Sequence, residues 1–418
     1  MDDLIALKGG KPVRTGVFPH IGISAGRSLG REEKELLSQV IDSGNLSRLG
    51  GLQMVARFEK EFALLHGSSH AHAATSGTAA LHTAVATLDL EPGDEIITTP
   101  ITDMGTAIAI LMQQCIPIFA DVDSQTCNIT AETIEKQITD RTRAIIVVHL
   151  FGGPADMDPI LALAQEHHLK VIEDCAQSYL AEYKGRFVGT MGDIGCFSLQ
   201  QSKQITAGDG GILITNNPDY SRRASLFTDK AWPRIKLGEQ RGHLFLGMNY
   251  RMNELTGAVA LAQLGKLKSI VAKRRETAQR LYEKLGALVG IIPITILPDT
   301  ASSWWIFSFY IDSELLDVTP AEFAQALNAE GIPCHCGYIP MPLFEYPVIK
   351  DRKTFGSSGL PWTLPQARKN IAYNRENYPG TIKALSELIV ISWCEGITKE
   401  DADDVFQAIK KLVSYYSF

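Results

Sequence analysis

Val171-Ile-Glu-Asp-Cys-Ala-Gln177 reads as a short buried strand that ends in an acid, Asp174. Cys196-Phe-Ser-Leu-Gln-Gln-Ser-Lys203 reads as a second strand whose exit carries one lysine, Lys203. Gly208-Asp-Gly-Gly211 follows, and its glycines allow a tight return that holds the lysine loop down. An acid and a lysine delivered to one edge of a sheet are what a pyridoxal phosphate (PLP) site needs. The lysine forms a Schiff base with the cofactor, and the acid pairs with the pyridinium nitrogen so that the ring can act as an electron sink.

Ser76-Gly77-Thr78 stands where a helix begins. Free backbone N–H groups, the positive end of the helix dipole and the hydroxyls can hold a phosphate there. Ser198, ahead of Lys203 on the same run, can donate to that phosphate. Each signal has a plainer reading alone. Ser, Thr and Gly at helix starts are usually caps, Asp174 is an ordinary cap of the next helix, and a lysine in a polar loop is usually solvated. Their convergence on the carboxyl edge of one sheet, where ligands bind in open α/β folds, favours the site.

The elements that position these residues are legible as a pattern. From about 75 to 215, near-continuous apolar strands alternate with helices, which predicts a mostly parallel α/β sheet covered on both faces. Ala144-Ile-Ile-Val-Val148 is the most β-branched strand, and Met157 to His168 reads as a helix. Helical spacing marks Arg31–Ile41 and the segment around Phe58, Phe62 and Leu65. Glu254 to Leu288 is a long helical stretch of the kind that links domains. Beyond it, Ser303–Tyr310 reads as a strand, Pro320–Glu330 and Thr398–Tyr415 as helices, and Gly337–Pro365 as a long loop of the functional sort. The expected organisation is an N-terminal arm (1–30) lying on a neighbouring surface, a large α/β cofactor domain (31–270) and a smaller C-terminal α+β domain (271–418).

The composition is that of an ordinary globular chain, with 418 residues, 45% hydrophobic and 21% charged. A net charge of −7 disfavours broad nucleic-acid or anionic-membrane binding but leaves room for a local phosphate pocket. No basic, apolar leader opens the chain, and no unbroken apolar run reaches the ~18 residues needed to span a bilayer. Seven cysteines without framework spacing argue for reduced thiols and a cytoplasmic setting. Cys334-His-Cys336 lacks a second ligand pair, so no metal site is expected. No Gly-x-Gly-x-x-Gly follows a first strand, which excludes a plain dinucleotide module.

The chain resembles the DegT/DnrJ/EryC1/StrS family of PLP-dependent sugar or cyclitol aminotransferases, of fold type I. The motifs that carry the resemblance run from about Phe58 to Arg275. They include Phe58-Glu-Lys-Glu-Phe62, Thr75-Ser-Gly-Thr-Ala-Ala-Leu81, Pro92-Gly-Asp-Glu-Ile96, Pro117-Ile-Phe-Ala-Asp-Val-Asp123, Val148-His-Leu-Phe-Gly152, Glu173-Asp-Cys-Ala-Gln177, Gly192-Asp-Ile-Gly-Cys-Phe-Ser198, Lys203 and Gly247-Met-Asn-Tyr-Arg-Met252. The resemblance implies that Lys203 is the Schiff-base lysine and proton shuttle, and that Asp174 pairs with the ring nitrogen. It places Gln177 near the ring's 3′ oxygen, and Ser76, Gly77, Thr78 and Ser198 at the phosphate. Asn249 would reach the phosphate of a partner subunit, which implies a homodimer with shared active sites. Retention of lysine, rather than the histidine of some sugar dehydratases, favours transamination. An amino group would pass from glutamate or glutamine through pyridoxamine phosphate (PMP) to a keto-sugar or cyclitol ketone, in aminosugar or antibiotic biosynthesis. A PLP-dependent dehydratase or aminohydroxybenzoate-type synthase is an alternative, and a non-catalytic PLP-binding regulator is another.

Two stretches depart from the family pattern. Asp103, in Thr102-Asp-Met-Gly-Thr106, occupies the place of an aromatic that stacks on the cofactor ring, and an acid offers no such surface. Either Met104 covers the ring through its thioether or Asp103 faces the substrate. Cys334–Pro365 is longer than in simpler members, and Arg234, His335 and Tyr338 are candidate substrate contacts by position and chemistry.

Overall fold

A computed structural model describes residues 4–234 and 242–417. Its strands are β1 (His70–Ala74), β2 (Glu95–Thr98), β3 (Ile116–Phe119), β4 (Thr142–Val148), β5 (Lys170–Asp174), β6 (Glu182–Tyr183), β7 (Arg186–Phe187), β8 (Ile194–Ser198), β9 (Gly211–Thr215), β10 (Ile291–Pro293), β11 (Thr300–Ala301), β12 (Ile306–Ile311), β13 (His335–Cys336) and β14 (Ile389–Ser392). The longer helices are α1 (Arg31–Asp42), α2 (Met54–His66), α3 (Gly77–Thr87), α4 (Met104–Met112), α5 (Ala131–Glu135), α6 (Met157–Glu166), α7 (Pro218–Thr228), α8 (Glu254–Gly286), α9 (Pro320–Ala329), α10 (Pro347–Lys350), α11 (Pro379–Glu387) and α12 (Lys399–Tyr416).

The principal sheet has seven strands in the order β1-β9-β8-β5-β4-β2-β3. The run from β8 to β3 is parallel, and β9 alone pairs antiparallel to its neighbours. The architecture is therefore a mixed, mostly parallel sheet covered by helices, as the alternation predicts. Strands buried on both faces need apolar residues at every position rather than at alternate ones, and β4 supplies them with Ala144 to Val148 fully inside. A second sheet, β10-β12-β14-β13, is entirely antiparallel and packs against α9 and α12.

The long helical stretch of the sequence is one helix, α8, which runs unbroken through residue 270. Its start is capped by Asn253, whose side chain accepts from Thr256 N at 2.9 Å. By length and composition it could cross a bilayer, with a window of mean hydropathy 1.2. Its apolar positions are instead used internally: Ala258, Leu261, Leu264 and Leu267 are buried where it packs on α1 and α2.

Three segments differ from the sequence expectation or refine it. The strand expected at Ser303–Tyr310 begins only at Ile306, because Trp304 adopts a left-handed φ of 49°. Ser303 and Trp305 donate their backbone N–H to Gly152 and Phe151, so this stretch is tied to the turn after β4 rather than to the sheet. The expected loop after Gly337 lacks long elements as far as α11, yet it is packed. Leu343, Phe344, Trp362 and Tyr378 join the core of Ile97 and Val147, and Tyr373 Oη donates to Pro117 O at 2.7 Å. The N-terminal arm lies on the chain's own C-terminal sheet, with Ile5 and Phe18 in its core and Ala6 N bonded to the Glu330 carboxylate at 2.7 Å.

Candidate active site

β5 and β8 are parallel neighbours, with Asp174 beside Cys196, so both leave the sheet at the same edge. Between them, Glu173 acts as a buried bolt. It accepts from His149 Nε2 at 3.0 Å and from the backbone N–H groups of Gly189, Met191 and Gly192. Burial works to raise its carboxyl, but these donors outweigh it and hold the group below its ordinary value. Cys175 lies close enough to complete a metal-ligand trio with His149 and Glu173. His149 has no lone pair to spare for an ion, because its Nδ1 accepts from Ala155 N at 3.1 Å.

After β8 the chain makes the loop that carries Lys203 and returns as β9. Gly208 and Gly210 take φ values of 84° and 147°, which only glycine adopts freely. Leu199 N and Ala207 N close the loop on Gly210 O and Leu199 O. Across the edge, Ser76 accepts from Ala79 N at 3.0 Å and caps α3. The first-turn N–H groups of Gly77 and Thr78 have no partner within the helix and line the same cavity. Gly77 is required by the closeness of β8: a Cβ there would meet the Ser198 Cβ at 2.7 Å.

These groups enclose a cavity of about 340 Å³ lined by Ser76, Gly77, Thr78, Asp103, Thr106, Asp174, Ala176, Gln177, Ser198, Lys203, Trp305 and Tyr338, among others. Asp174 Oδ1 accepts from Ala176 N at 3.1 Å and Oδ2 from Thr106 Oγ1 at 2.9 Å. Burial pushes its carboxyl up, against those bonds and the pull of Lys203. Burial pushes the Lys203 amine down to about 8, with Asp174 and Asp103 opposing. At that value about one molecule in ten carries a neutral amine at pH 7, against roughly one in several thousand for an ordinary lysine. Gln177 Oε1 accepts from Phe151 N at 2.8 Å, and its Nε2 donates to Tyr338 Oη at 3.1 Å.

The cavity fits PLP in the chemistry of its donors. A buried carboxylate without a cation of its own other than Lys203 suits a pyridinium nitrogen. A helix start with free N–H groups and hydroxyls suits a phosphate. A buried lysine kept partly neutral suits an aldehyde carbon.

Of the sequence candidates, Ser76, Gly77, Thr78, Asp103, Asp174, Gln177, Ser198, Lys203 and Tyr338 share this cavity. Four do not line it. Met104 is the first residue of α4 and packs against the core of Ile97 and Ile118, outside the cavity lining. Arg234 pairs with Asp229 and lies over the Trp232 ring, 4.0 Å from its centroid. His335 is exposed on β13, the edge strand of the C-terminal sheet, opposite Val390 and outside the cavity lining. Asn249 lies in a separate surface hollow with Ser47, Arg48 and Arg251.

Sequence reading missed Trp305, Thr106 and Arg27. Trp305 lines the cavity, with Lys203 Nζ 4.2 Å from its ring centroid, so an aromatic absent at 103 is present from another segment. Thr106 had a signal: it is one helical turn from Thr102, with which it shares a hydrogen bond. Arg27 had none.

Sheet, lysine loop and acid together define a PLP-dependent transferase with a mixed α/β sheet. The match is specific: residues 27–372 fit the model of the DegT/DnrJ/EryC1/StrS aminotransferase family, and the chain belongs to that family. It is thus an aminotransferase whose cofactor is PLP. It is 31% identical to an L-glutamine:2-deoxy-scyllo-inosose aminotransferase of Streptomyces kanamyceticus over 98% of this chain and 97% of that one. It is 35% identical to a GDP-perosamine synthase of Escherichia coli O157:H7 over 67% of this chain and 75% of that one. Among solved structures, an aminotransferase from Psychrobacter cryohalolentis superposes with a TM-score of 0.82 at 29% identity, covering 93% of this chain and 98% of that one.

Proposed function

We propose that this aminotransferase moves an amino group from glutamate or glutamine to a ketone on a polyhydroxylated ring, a keto-sugar or a cyclitol, in the cytoplasm and as a homodimer. The observation that carries the reading is the meeting of Lys203, Asp174 and the start of α3 in one cavity. Asp103, Gln177, Gln200, Ser202 and Tyr338 add acceptors and donors for hydroxyls, and Trp305 adds an apolar face, a mixture suited to a hydroxylated ring. The names of the two relatives support the same substrate class.

When bound, PLP supplies an electron sink and carries the amino group between donor and ketone. Lys203 Nζ holds the cofactor between turnovers. Once released, it takes the proton from the donor carbon that bears nitrogen and later returns one to the former ketone carbon. Asp174 holds a proton on the ring nitrogen, and Thr106 and Ala176 N fix its carboxylate. Gly77, Thr78, Ser76 and Ser198 would hold the phosphate. Gln177, held by Phe151 N and Tyr338, would face the ring. Lys203 is the only Lys or Arg in the lining among the described residues. A second copy supplying Asn249, beside Arg48 and Arg251, would meet the remaining phosphate charge.

The test is the absorbance of the purified protein with PLP, recorded before and after glutamate or glutamine, with Lys203→Ala as control. The donor that converts the spectrum is named by the result, and the converted protein is then offered cyclitol ketones and nucleotide-linked keto-sugars. If neither donor changes the spectrum while Lys203 is intact, the proposal fails.

A further inference from the structure

We infer that Arg27, on the N-terminal arm, is a positioning residue for Lys203, its guanidinium holding the peptide carbonyl of that lysine. Arg27 Nη1 donates to Lys203 O at 2.8 Å across 176 residues of chain, in a buried environment. The guanidinium is steered by Glu395, whose Oε2 lies 3.8 Å away, with the two side chains 2% and 1% exposed. Glu395 is held in turn by Arg274 of α8 at 2.8 Å and by Ser28 N at 3.1 Å. Arg274 Nη1 also donates to Trp393 O at 2.5 Å.

This arrangement is costly. Two buried guanidinium groups share one carboxylate, and Arg27 Nε and Nη2 find no protein partner. Burying unpaired donors destabilises, and an apolar side chain would fill the same space without that cost. What the arginine adds, and an apolar residue cannot, is the bond to Lys203 O. A second grip acts one residue earlier. Trp305 Nε1 donates to Ser202 O at 2.7 Å, and its ring lies under the Lys203 ammonium. Lys203 N donates to Gln200 O at 3.0 Å from inside the loop. With both carbonyls pinned from outside the principal sheet, the direction of the Lys203 side chain is fixed.

The inference rests on the reading of Lys203 as the lysine that reacts with PLP. The titratable groups that share the cavity with its amine are Asp103, Asp174, Asp209 and Tyr338. A loop freed from Arg27 lets water reach Nζ, and the amine moves back toward its ordinary value.

The experiment uses the full chain with added PLP. The imine formed when the amine displaces water from the aldehyde is trapped with borohydride across a pH series, and mass spectrometry locates the label. In the wild type, trapping at Lys203 rises with pH through a midpoint near 8. Arg27→Met is expected to raise that midpoint by about one unit and so cut trapping at pH 7 about tenfold. Arg27→Lys, which can still donate to the carbonyl, is expected to recover most of the loss. Trp305→Phe keeps a ring and loses the N–H, and is expected to shift the midpoint the same way by less. A folded Arg27→Met with an unmoved midpoint overturns the positioning role. Should that variant not fold, an unmoved midpoint in Arg27→Gln, which stays polar but is too short to reach the Lys203 carbonyl, overturns it. A label on another lysine in the wild type brings down the function proposed for Lys203, and the role of Arg27 with it.

Discussion

On one side of the cavity every group is delivered within a few residues of a strand end. Asp174 closes β5, Ser198 closes β8, Lys203 follows in the next turn, and Gly77 and Thr78 follow β1. On the other side the groups come from far along the chain. Tyr338 meets Gln177 across 161 residues and Trp305 meets Ser202 across 103; Arg27, outside the lining, reaches the backbone of Lys203 across 176. The near wall binds and activates, because a parallel sheet brings its carboxyl ends to one edge whatever the ligand. The far wall shapes what enters, and its residues can change without disturbing that sheet.

If this division holds, substitutions on the near wall strike chemistry hardest. Lys203→Ala is expected to lower the single-turnover rate of amino transfer by about 10³-fold or more, the upper range for losing a positioned proton-transfer group that also anchors the cofactor. Asp174→Asn comes next, with a loss of about 10²-fold in kcat. The amide oxygen still accepts from Ala176 N and its Nδ2 donates to the Thr106 hydroxyl, which turns to accept, so cofactor-free stability should change little by thermal melting. Losses in kcat from these two variants no larger than those from substitutions at Tyr338 would erase the distinction between activating and shaping groups.

The near wall was legible because its signals are local. Apolar runs ending in Asp174 and Ser198, the glycines that return the loop, and the small residues at the start of α3 all lie within short windows. The far wall was not. Nothing in the spacing around Arg27 or Trp305 marks a contact more than a hundred residues away. Asp103 announced that an aromatic was missing at its position, but only folding shows Trp305 lining the same cavity. Met104, the other reading at that place, packs onto the core from the first position of α4. The element types were read well where strands are apolar throughout. The start of β12 was misread because a left-handed Trp304 leaves no periodic trace.

On the far wall, Tyr338→Phe removes the acceptor for Gln177 Nε2 while keeping the ring that packs edge-on to Phe151 and Trp305. Loss of one such bond is worth about 1 kcal/mol, so the expected change is about fivefold. It should fall on KM for the ketone, with kcat for the donor half-reaction unchanged. A drop in kcat of the donor step as large as that for Asp174→Asn would move Tyr338 to the activating side.

Asp103 sits where the two walls meet. Its Oδ1 accepts from Gly105 N at 2.8 Å, a bond that Asn can keep. Its charge raises both the Asp174 carboxyl and the Lys203 amine. Asp103→Asn removes a negative charge that favours the ammonium, so the amine should titrate below about 8. The amine-dependent limb of the rate profile then moves to lower pH. A limb that moves to higher pH, or stays in place in steady-state assays, would separate Asp103 from Lys203 electrostatically.

The smallest effect is expected at His335, and it bears on how far the far wall extends. The residue lies on the same polar and aromatic segment as Tyr338, and its chemistry alone recommends it as a substrate contact. Yet β13 pairs it with Val390 at the sheet edge, and its side chain is exposed outside the cavity. Burial of part of the ring lowers its pKa, which disfavours the charged form that would attract an anionic substrate. Surface substitutions of this kind stay within about 0.5 kcal/mol, which is about a twofold change in kcat/KM. His335→Ala is therefore expected to leave the kinetics with every ketone within that margin. A selective loss with one ketone would extend the far wall past Tyr338 to β13, and would mean that a bound substrate or a second copy reaches the C-terminal sheet.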